Sequence, residues 1–326
     1  MKKFLGICMM LALCLSGCAK EKPVASEQEI LTGENIKVAT SFYPIYLMTL
    51  YITDGAEGVE VENMAQPQTG CLHDYDLTTE DMKMLDQADV FFMNGLGMER
   101  FLDQARAQNP DLYIVETGEY AQILLEEEHS YAHDDEEDDD YHEERDEEAD
   151  RADDDDTVNS HVWLHPVNAA RQAEAIGNTM IELDEANADI YRANIKSFTE
   201  KMKELEMEGK KLQARRGIPT AAFHEGFLYL EEWCGLNEEI GIFPEEHQTP
   251  SAGELAEAMD EAREDGIHYF LTAADGGESY AKMMAEETGG VVIELNPLTR
   301  GNGDKDEFIQ GMEDNLAAIT GIFDEA

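Results

Sequence analysis

Strand-type and helix-type runs alternate in two similar series along this chain, with one long amphipathic segment between them, and no other feature restricts its fold as tightly. In the first series Ile36–Thr40 is a short β-type run, Pro44–Ile52 is helical in pattern, and Val59–Met64 is a second strand. A helix near Thr79–Gln87, a strand Val90–Met93, a helix near Met98–Gln108 and a strand Leu112–Val115 complete it. The second series has strands Thr220–Phe223, Glu239–Phe243, His268–Thr272 and Val291–Leu295, interleaved with helices Gly226–Trp233, Ser279–Glu287 and Glu307–Ile322. Ser251 followed by Glu254 reads as a capping box that opens another helix to Glu264, and Gly289 is placed to end the helix before it. Strands that alternate with helices imply crossover connections and therefore mainly parallel sheets, an α/β fold in two lobes. Between the series, Tyr191, Ile195, Phe198, Met202, Leu205 and Leu212 recur at helical spacing. They predict one helix from about Asn187 to Arg215, roughly 40 Å long, set as a rigid strut between the halves.

The ends of this plan are marked by composition. Lys2 and Lys3 precede an apolar run, Phe4–Leu15, that is too short to span a bilayer. Leu15-Ser16-Gly17-Cys18 then resembles a bacterial lipobox, in which cleavage leaves Cys18 as the new N-terminus with a lipid on its sulfur. Residues 1–17 are thus expected to be a lipoprotein signal peptide and 18–34, polar and containing Pro23, a tether. The expected N-terminal lobe is 35–185, the linking helix 186–216 and the C-terminal lobe 217–326. Cys8 and Cys14 leave with the signal. Cys71 and Cys234 remain far apart in sequence, and spacing alone leaves open whether they pair.

The formal net charge is −50. Such a chain repels nucleic acid and gains nothing from anionic lipid surfaces, so its natural partners are cations. Much of the charge sits in Glu126–Asp156, where 31 residues hold twenty Asp or Glu, two Arg, and His129, His133 and His142. No apolar periodicity survives there, which predicts a disordered, self-repelling insert. It reads either as an inert solvated loop or as a weak trap that concentrates cations near a tighter site.

Three histidines stand at loop positions. His73 lies in Gln66-Pro67-Gln68-Thr69-Gly70-Cys71-Leu72-His73-Asp74, after the second strand; His161 in Asn159-Ser160-His161-Val162-Trp163-Leu164-His165-Pro166; and His224 at the end of Ala221-Ala222-Phe223-His224-Glu225. A lone histidine at a strand end is usually structural, but two from one half and one from the other suit a site in the cleft between lobes.

With these residues in view, the chain resembles the metal-binding lipoproteins that serve zinc and manganese ABC importers, the cluster A-I solute-binding proteins. The resemblance runs through Thr40-Ser41-Phe42-Tyr43-Pro44, His73-Asp74-Tyr75, Asn94-Gly95-Leu96-Gly97-Met98-Glu99, His161-Val162-Trp163-Leu164, Phe223-His224-Glu225, Pro250-Ser251-Ala252 and Leu295-Asn296-Pro297-Leu298. It implies two lobes joined by a long helix, one metal ion held between them by His73, His161 and His224, and a monomer that delivers the ion to an ABC permease, lipid-anchored on the outer face of the cell membrane or, in a Gram-negative host, on the periplasmic side. Manganese members usually carry a carboxylate at the third position, since a hard ion prefers oxygen; three neutral imidazoles here suit Zn²⁺. Where many relatives place an acidic fourth ligand this chain has Asn296 and Thr299, which leaves water or a carboxylate such as Asp275. His165 replaces the family's usual aspartate and stands four residues after His161, so it stays open as a ligand, as does the sulfur of Cys71.

Other functions compete. A three-histidine zinc with an open position is also a hydrolase pattern. Against it, Leu228 stands where the second histidine of a His-Glu-x-x-His protease helix belongs, and no nucleophile has a recognisable setting. The sequence is therefore read as a binding protein and not an enzyme, with manganese-binding or adhesin-type lipoproteins of the same fold as the alternative.

Overall fold

The computed structural model describes residues 35–65, 72, 75–101, 104, 106–107, 109–110, 112–124, 158–215, 217–243, 250–274 and 276–326. The signal peptide, Cys18 and the tether, the acidic insert, Cys71, His73 and Asp275 lie outside them. Among the described residues there are two four-stranded sheets, parallel throughout. The first takes β1 (Ile36–Thr40), β2 (Val59–Asn63), β3 (Val90–Met93) and β4 (Tyr113–Glu116) in the order β2-β1-β3-β4. The second takes β5 (Pro219–Ala222), β6 (Asn237–Gly241), β7 (Tyr269–Thr272) and β8 (Val291–Glu294) in the matching order β6-β5-β7-β8.

Burial explains the strand sequences. β3 (Val-Phe-Phe-Met) and β7 (Tyr-Phe-Leu-Thr) are interior strands covered on both faces and buried at every position. Edge strand β2 alternates instead, with Val59 and Val61 half-buried and Glu60 and Glu62 exposed, a charged face that discourages pairing with another chain. β6 begins two residues before the strand expected at Glu239–Phe243, since Asn237 and Glu238 pair with Pro219 and Thr220, and a register shift between Thr220 and Ala221 then leaves Glu239 without an opposite residue.

The helices are α1 (Tyr43–Thr53), α2 (Thr79–Gln87), α3 (Pro166–Leu183), α4 (Ala188–Gln213), α5 (Phe227–Cys234), α6 (Ala252–Glu264), α7 (Glu278–Thr288) and α8 (Glu307–Glu325). Their starts follow local chemistry. Pro44 lies in the first turn of α1, Thr78 forms a capping box with Asp81 on α2, and Ser251 forms the expected one with Glu254 on α6. The helix expected near Met98–Gln108 falls partly on residues not described. The helix α3 has no counterpart in the sequence reading beyond the hint of Pro166, now seen in its first turn.

The long helix α4 is 26 residues, about 39 Å, and buries Tyr191, Phe198, Met202, Leu205 and Leu212 as the spacing predicts. It is more than a strut between two halves. It packs on α1 and α3 of the first lobe and on α5 and α8 of the second. One apolar core therefore runs across both lobes, from Phe42 and Trp163 through Phe198 to Trp233 and Phe323. A second, smaller core under α6 and α7 gathers Phe223, Ile240, Leu255, Phe270 and Met284. Cys234 is a free thiol inside the large core, and burial pushes its pKa up, which makes it inert.

The contact between α4 and α5 depends on a glycine. A Cβ on Gly209 would stand 2.2 Å from Nε1 and 2.6 Å from Cδ1 of Trp233, a ring buried to its edges. Gly→Ala on an exposed helix face gains about 1 kcal/mol from propensity. Gly209→Ala is expected to reverse that sign, since overpacking a filled core costs about 1–3 kcal/mol. Urea unfolding checks it, and a more stable variant would show that the two helices are free to move apart.

Candidate metal centre

Loops that leave the carboxyl ends of parallel strands, where the strand order reverses, are the binding positions of α/β sheets. His224 stands just after β5, beside β7, at that reversal in the second sheet. His161 precedes the short 3-10 turn Val162–Leu164 that leads into α3. The structure brings these two predicted residues together. Their imidazoles lie 5.1 Å apart between centroids at an interplanar angle of 76°, and each residue is 2 % exposed. Two imidazoles on one tetrahedral zinc, with Zn–N bonds of about 2.0–2.1 Å, have centroids about 5 Å apart. The pair thus has the spacing of two ligands of one ion. His73 lies outside the described residues, and among those described no larger set of His, Cys, Asp or Glu converges on a metal position.

His161 is held from several sides. Its Nδ1 is 3.1 Å from Oδ1 of Asn159, and the same oxygen accepts the His161 backbone N–H at 3.1 Å. The Asn159 Nδ2 donates to the backbone oxygen of Glu225 at 2.9 Å. With the amide nitrogen committed as a donor, Oδ1 faces Nδ1 as an acceptor, so Nδ1 carries the ring proton and Nε2 the lone pair that a metal needs. Glu225 places Oε1 3.8 Å from the same Nδ1, adding negative potential behind the ring. Trp163 packs on His161 with centroids 5.0 Å apart, and its Nε1 donates to Pro297 O at 2.8 Å in the other lobe.

His224 is oriented by the turn that follows it. The Gly226 N–H donates to its Nδ1 at 3.0 Å, and Phe227 stacks on the ring at 4.9 Å. Because that Nδ1 is an acceptor, Nε2 carries the proton in this arrangement. Coordination of a metal through Nε2 would displace that proton and reorganise the Gly226 contact. Gly226 also lies flat on His161: a Cβ there would be 2.9 Å from Cγ and Cδ2 of that ring. Only glycine lets the second lobe's turn approach the first lobe's imidazole so closely.

Other candidates from the sequence have different work. His165 is the N-cap of α3, its Nδ1 accepting Val167 N–H at 3.1 Å, while its Nε2 meets Glu232 Oε2 on α5 at 3.1 Å. Hydrogen bonding to His165 holds the Glu232 carboxyl below its usual range. Asn296 closes the loop after β8, with Oδ1 accepting Leu298 N–H at 2.8 Å and its backbone paired with the Asn315 side chain. The Asn94–Glu99 run, carried by resemblance alone in the sequence, is a buried clamp behind His161. Glu99 accepts from Ser41 Oγ, Asn94 N–H and Gly95 N–H at 2.7–2.8 Å; burial raises its pKa and these donors lower it, leaving it at about 7. The Asn94 Nδ2 then donates to Ser160 O at 2.9 Å, next to the ligand candidate, and Gln172 Nε2 donates back to Asn94 Oδ1 at 3.0 Å.

A family model described as zinc-uptake complex component A, periplasmic, matches residues 38–321. The chain belongs to this family. The high-affinity zinc uptake system protein ZnuA of Bacillus subtilis (strain 168) is similar over its whole length, 27 % identical over 332 residues that span 98 % of this chain and 97 % of its own. The manganese-binding lipoprotein MntA of Halalkalibacterium halodurans is 23 % identical over 304 residues, 89 % of this chain and 87 % of its own. Among solved structures, the SBP FpvC of Pseudomonas aeruginosa in complex with Ni²⁺ has the same fold, with a TM-score of 0.72 at 18 % identity over 90 % of this chain and 98 % of that one. The two parallel-sheet lobes and the long helix between them are thus the architecture of a family of extracytoplasmic metal-binding proteins.

The hold of α5 on the second sheet, and so the placing of the turn at His224, involves one buried acid. Glu231 is buried at the β5–β6 edge, accepts a hydrogen bond from Thr220 Oγ1, and faces the Glu238 carboxyl. Burial first, then the charge and hydrogen bond of Glu238, push its pKa well above the carboxylate range, so the two groups share a proton. A folded pKa raised above the unfolded value gives stability that is complete below the unfolded carboxylate pKa and is lost as pH rises through the folded one. The parent is therefore expected to lose stability as pH rises above the ordinary carboxylate range, and Glu231→Gln to flatten that dependence. Denaturant unfolding across that rise in pH is the measurement, and an unchanged slope in the variant would place both carboxylates in their ordinary range.

Proposed function

We propose that this protein captures Zn²⁺ in the cleft between its lobes with His73, His161 and His224, and hands the ion to the permease of an ABC importer. The observation that carries the reading is the buried pair His161 and His224, one from each lobe, at the spacing of two imidazoles on one ion. Neutral nitrogen donors favour Zn²⁺ over Mn²⁺, and the negative chain around them favours cations generally. Water or a carboxylate such as Asp275 completes four-coordination. The zinc-uptake family match supports import as the destination of the ion and binding, not catalysis, as the activity. Manganese is the competing cargo, since a relative bears that name.

Titration with Zn²⁺ and Mn²⁺ by calorimetry tests this. His73→Ala, His161→Ala and His224→Ala are each expected to weaken Zn²⁺ by more than the roughly 10–100-fold that loss of an outer-shell partner costs. Binding heats should depend on the buffer, because coordination releases protons. A variant that keeps tight one-to-one binding removes that histidine from the set, and tighter binding of Mn²⁺ than Zn²⁺ reverses the choice of cargo.

Attachment to the outer face of the membrane rests on Leu15-Ser16-Gly17-Cys18. No helix of the described residues is long and apolar enough to cross a membrane. Cys18→Ala is expected to move the protein from the membrane fraction to the soluble fraction, or to leave it with its signal uncleaved. Parental fractionation and migration of the variant would remove the lipid anchor from the account.

A further inference from the structure

Asn159 is fully buried, and its side chain makes three hydrogen bonds that point in two directions. The oxygen faces the residue's own lobe, accepting from Nδ1 and the backbone N–H of His161, both at 3.1 Å. The nitrogen faces the other lobe, donating at 2.9 Å to Glu225 O in the turn that holds His224. The backbone is tied across the same boundary, since Tyr229 Oη on α5 donates to Asn159 O at 2.7 Å.

A primary amide has one acceptor end and one donor end, and which end meets His161 decides the tautomer of that ring. While Glu225 O holds the nitrogen, the oxygen must face Nδ1, and Nε2 is left with its lone pair. If the lobes part and Glu225 O withdraws, only the His161 backbone N–H, 3.1 Å from Oδ1, still favours that orientation. Turning the amide over then costs that one hydrogen bond instead of two, and it presents N–H to Nδ1, which accepts, moving the ring proton to Nε2 and closing that atom to a metal. Glu225 Oε1, at 3.8 Å, is beyond hydrogen-bond reach of Nδ1 and does not replace the amide in this arrangement.

We infer that Asn159 is a positioning residue that presents Nε2 of His161 for coordination and ties the strength of that presentation to contact between the lobes. This rests on the metal-site reading above. It adds that ligand competence on one lobe is reinforced by the backbone of the other, so that prising the lobes apart weakens binding through the tautomer of His161 as well as through distance.

Two variants separate the parts. Asn159→Asp keeps an oxygen acceptor for Nδ1 but loses the donor to Glu225 O; Asn159→Ala loses both. Full chain labelled with ¹⁵N-histidine, metal-free and at a pH where imidazoles are neutral, gives the tautomer from ring nitrogen shifts, with His161→Gln identifying the signals of His161. Zinc affinity is read by chelator competition and folding by thermal unfolding. The expected result is a proton fixed on Nδ1 in the parent and in Asn159→Asp. For Asn159→Ala the expected result is a mixed tautomer with about 10–100-fold weaker zinc binding. Asn159→Asp should bind more weakly than the parent but more tightly than Asn159→Ala.

Parental affinity in Asn159→Ala overturns the inference, and so does weaker binding with the Nδ1 proton still fixed, which would mark a purely structural role. If Asn159→Ala does not fold, Asn159→Asp decides alone: a scrambled tautomer in it overturns the inference. Failure of the parent to bind zinc would instead strike the proposed function, while the metal-free spectra still decide the role of Asn159.

Discussion

Everything in this molecule is hung from the apolar stripe of α4. Tyr191, Phe198, Met202, Leu205 and Leu212 are buried against helices of both lobes, so the two sheets share a core. A shared core resists the wide hinge opening available to lobes joined only by strands or loops. Rearrangement is then easiest in the turns at the strand ends, where the ligand candidates lie. Gly209 under Trp233 shows how little slack the arrangement holds.

Against that fixed frame, the site is organised by hydrogen bonds of buried amides and carboxylates more than by the imidazoles. Ser160 is held by Asn94, whose own loop is closed by Glu99, and His161 is held by Asn159. Such networks pre-orient a ligand before the ion arrives, and the ordering cost is met at folding instead of at binding. Trp163, against His161 and bonded to Pro297 O, extends the same framework into the second lobe.

The legible parts of the fold were those whose signal is local. β1, β3 and α2 lie at the predicted residues, and α6 begins at the predicted Ser251 capping box, because β-branched runs and caps act within a few positions. The helix α3 was hidden because its buried face is largely small or polar, Asn168, Ala169, Gln172, Ala173 and Gly177, and reads as neither stripe nor strand. The edge strand β6 was misplaced by its acidic sequence and bulge. Periodicity showed that α4 buries a face but not against what. In the site, histidines at strand ends were visible as residue types. The roles of Asn159 and Gly226 were not, since each depends on a partner more than sixty residues away that only the folded chain supplies. His165 stayed ambiguous for the same reason, its partner Glu232 being on α5.

One backbone contact beside the site bears on how such a chain can change over time. Asn159 N–H donates to Leu124 O at 3.3 Å, and Leu124 N–H donates to Tyr229 Oη at 3.1 Å, so the chain leaves and re-enters the lobe at a single stapled point. The ends of the intervening segment are thereby held side by side, and the entropy of closing a flexible loop on fixed ends grows slowly with its length, about 0.6 kcal/mol per doubling. A change in the number of residues between Leu124 and Asn159 thus meets two fixed ends before it reaches His161, two residues further on.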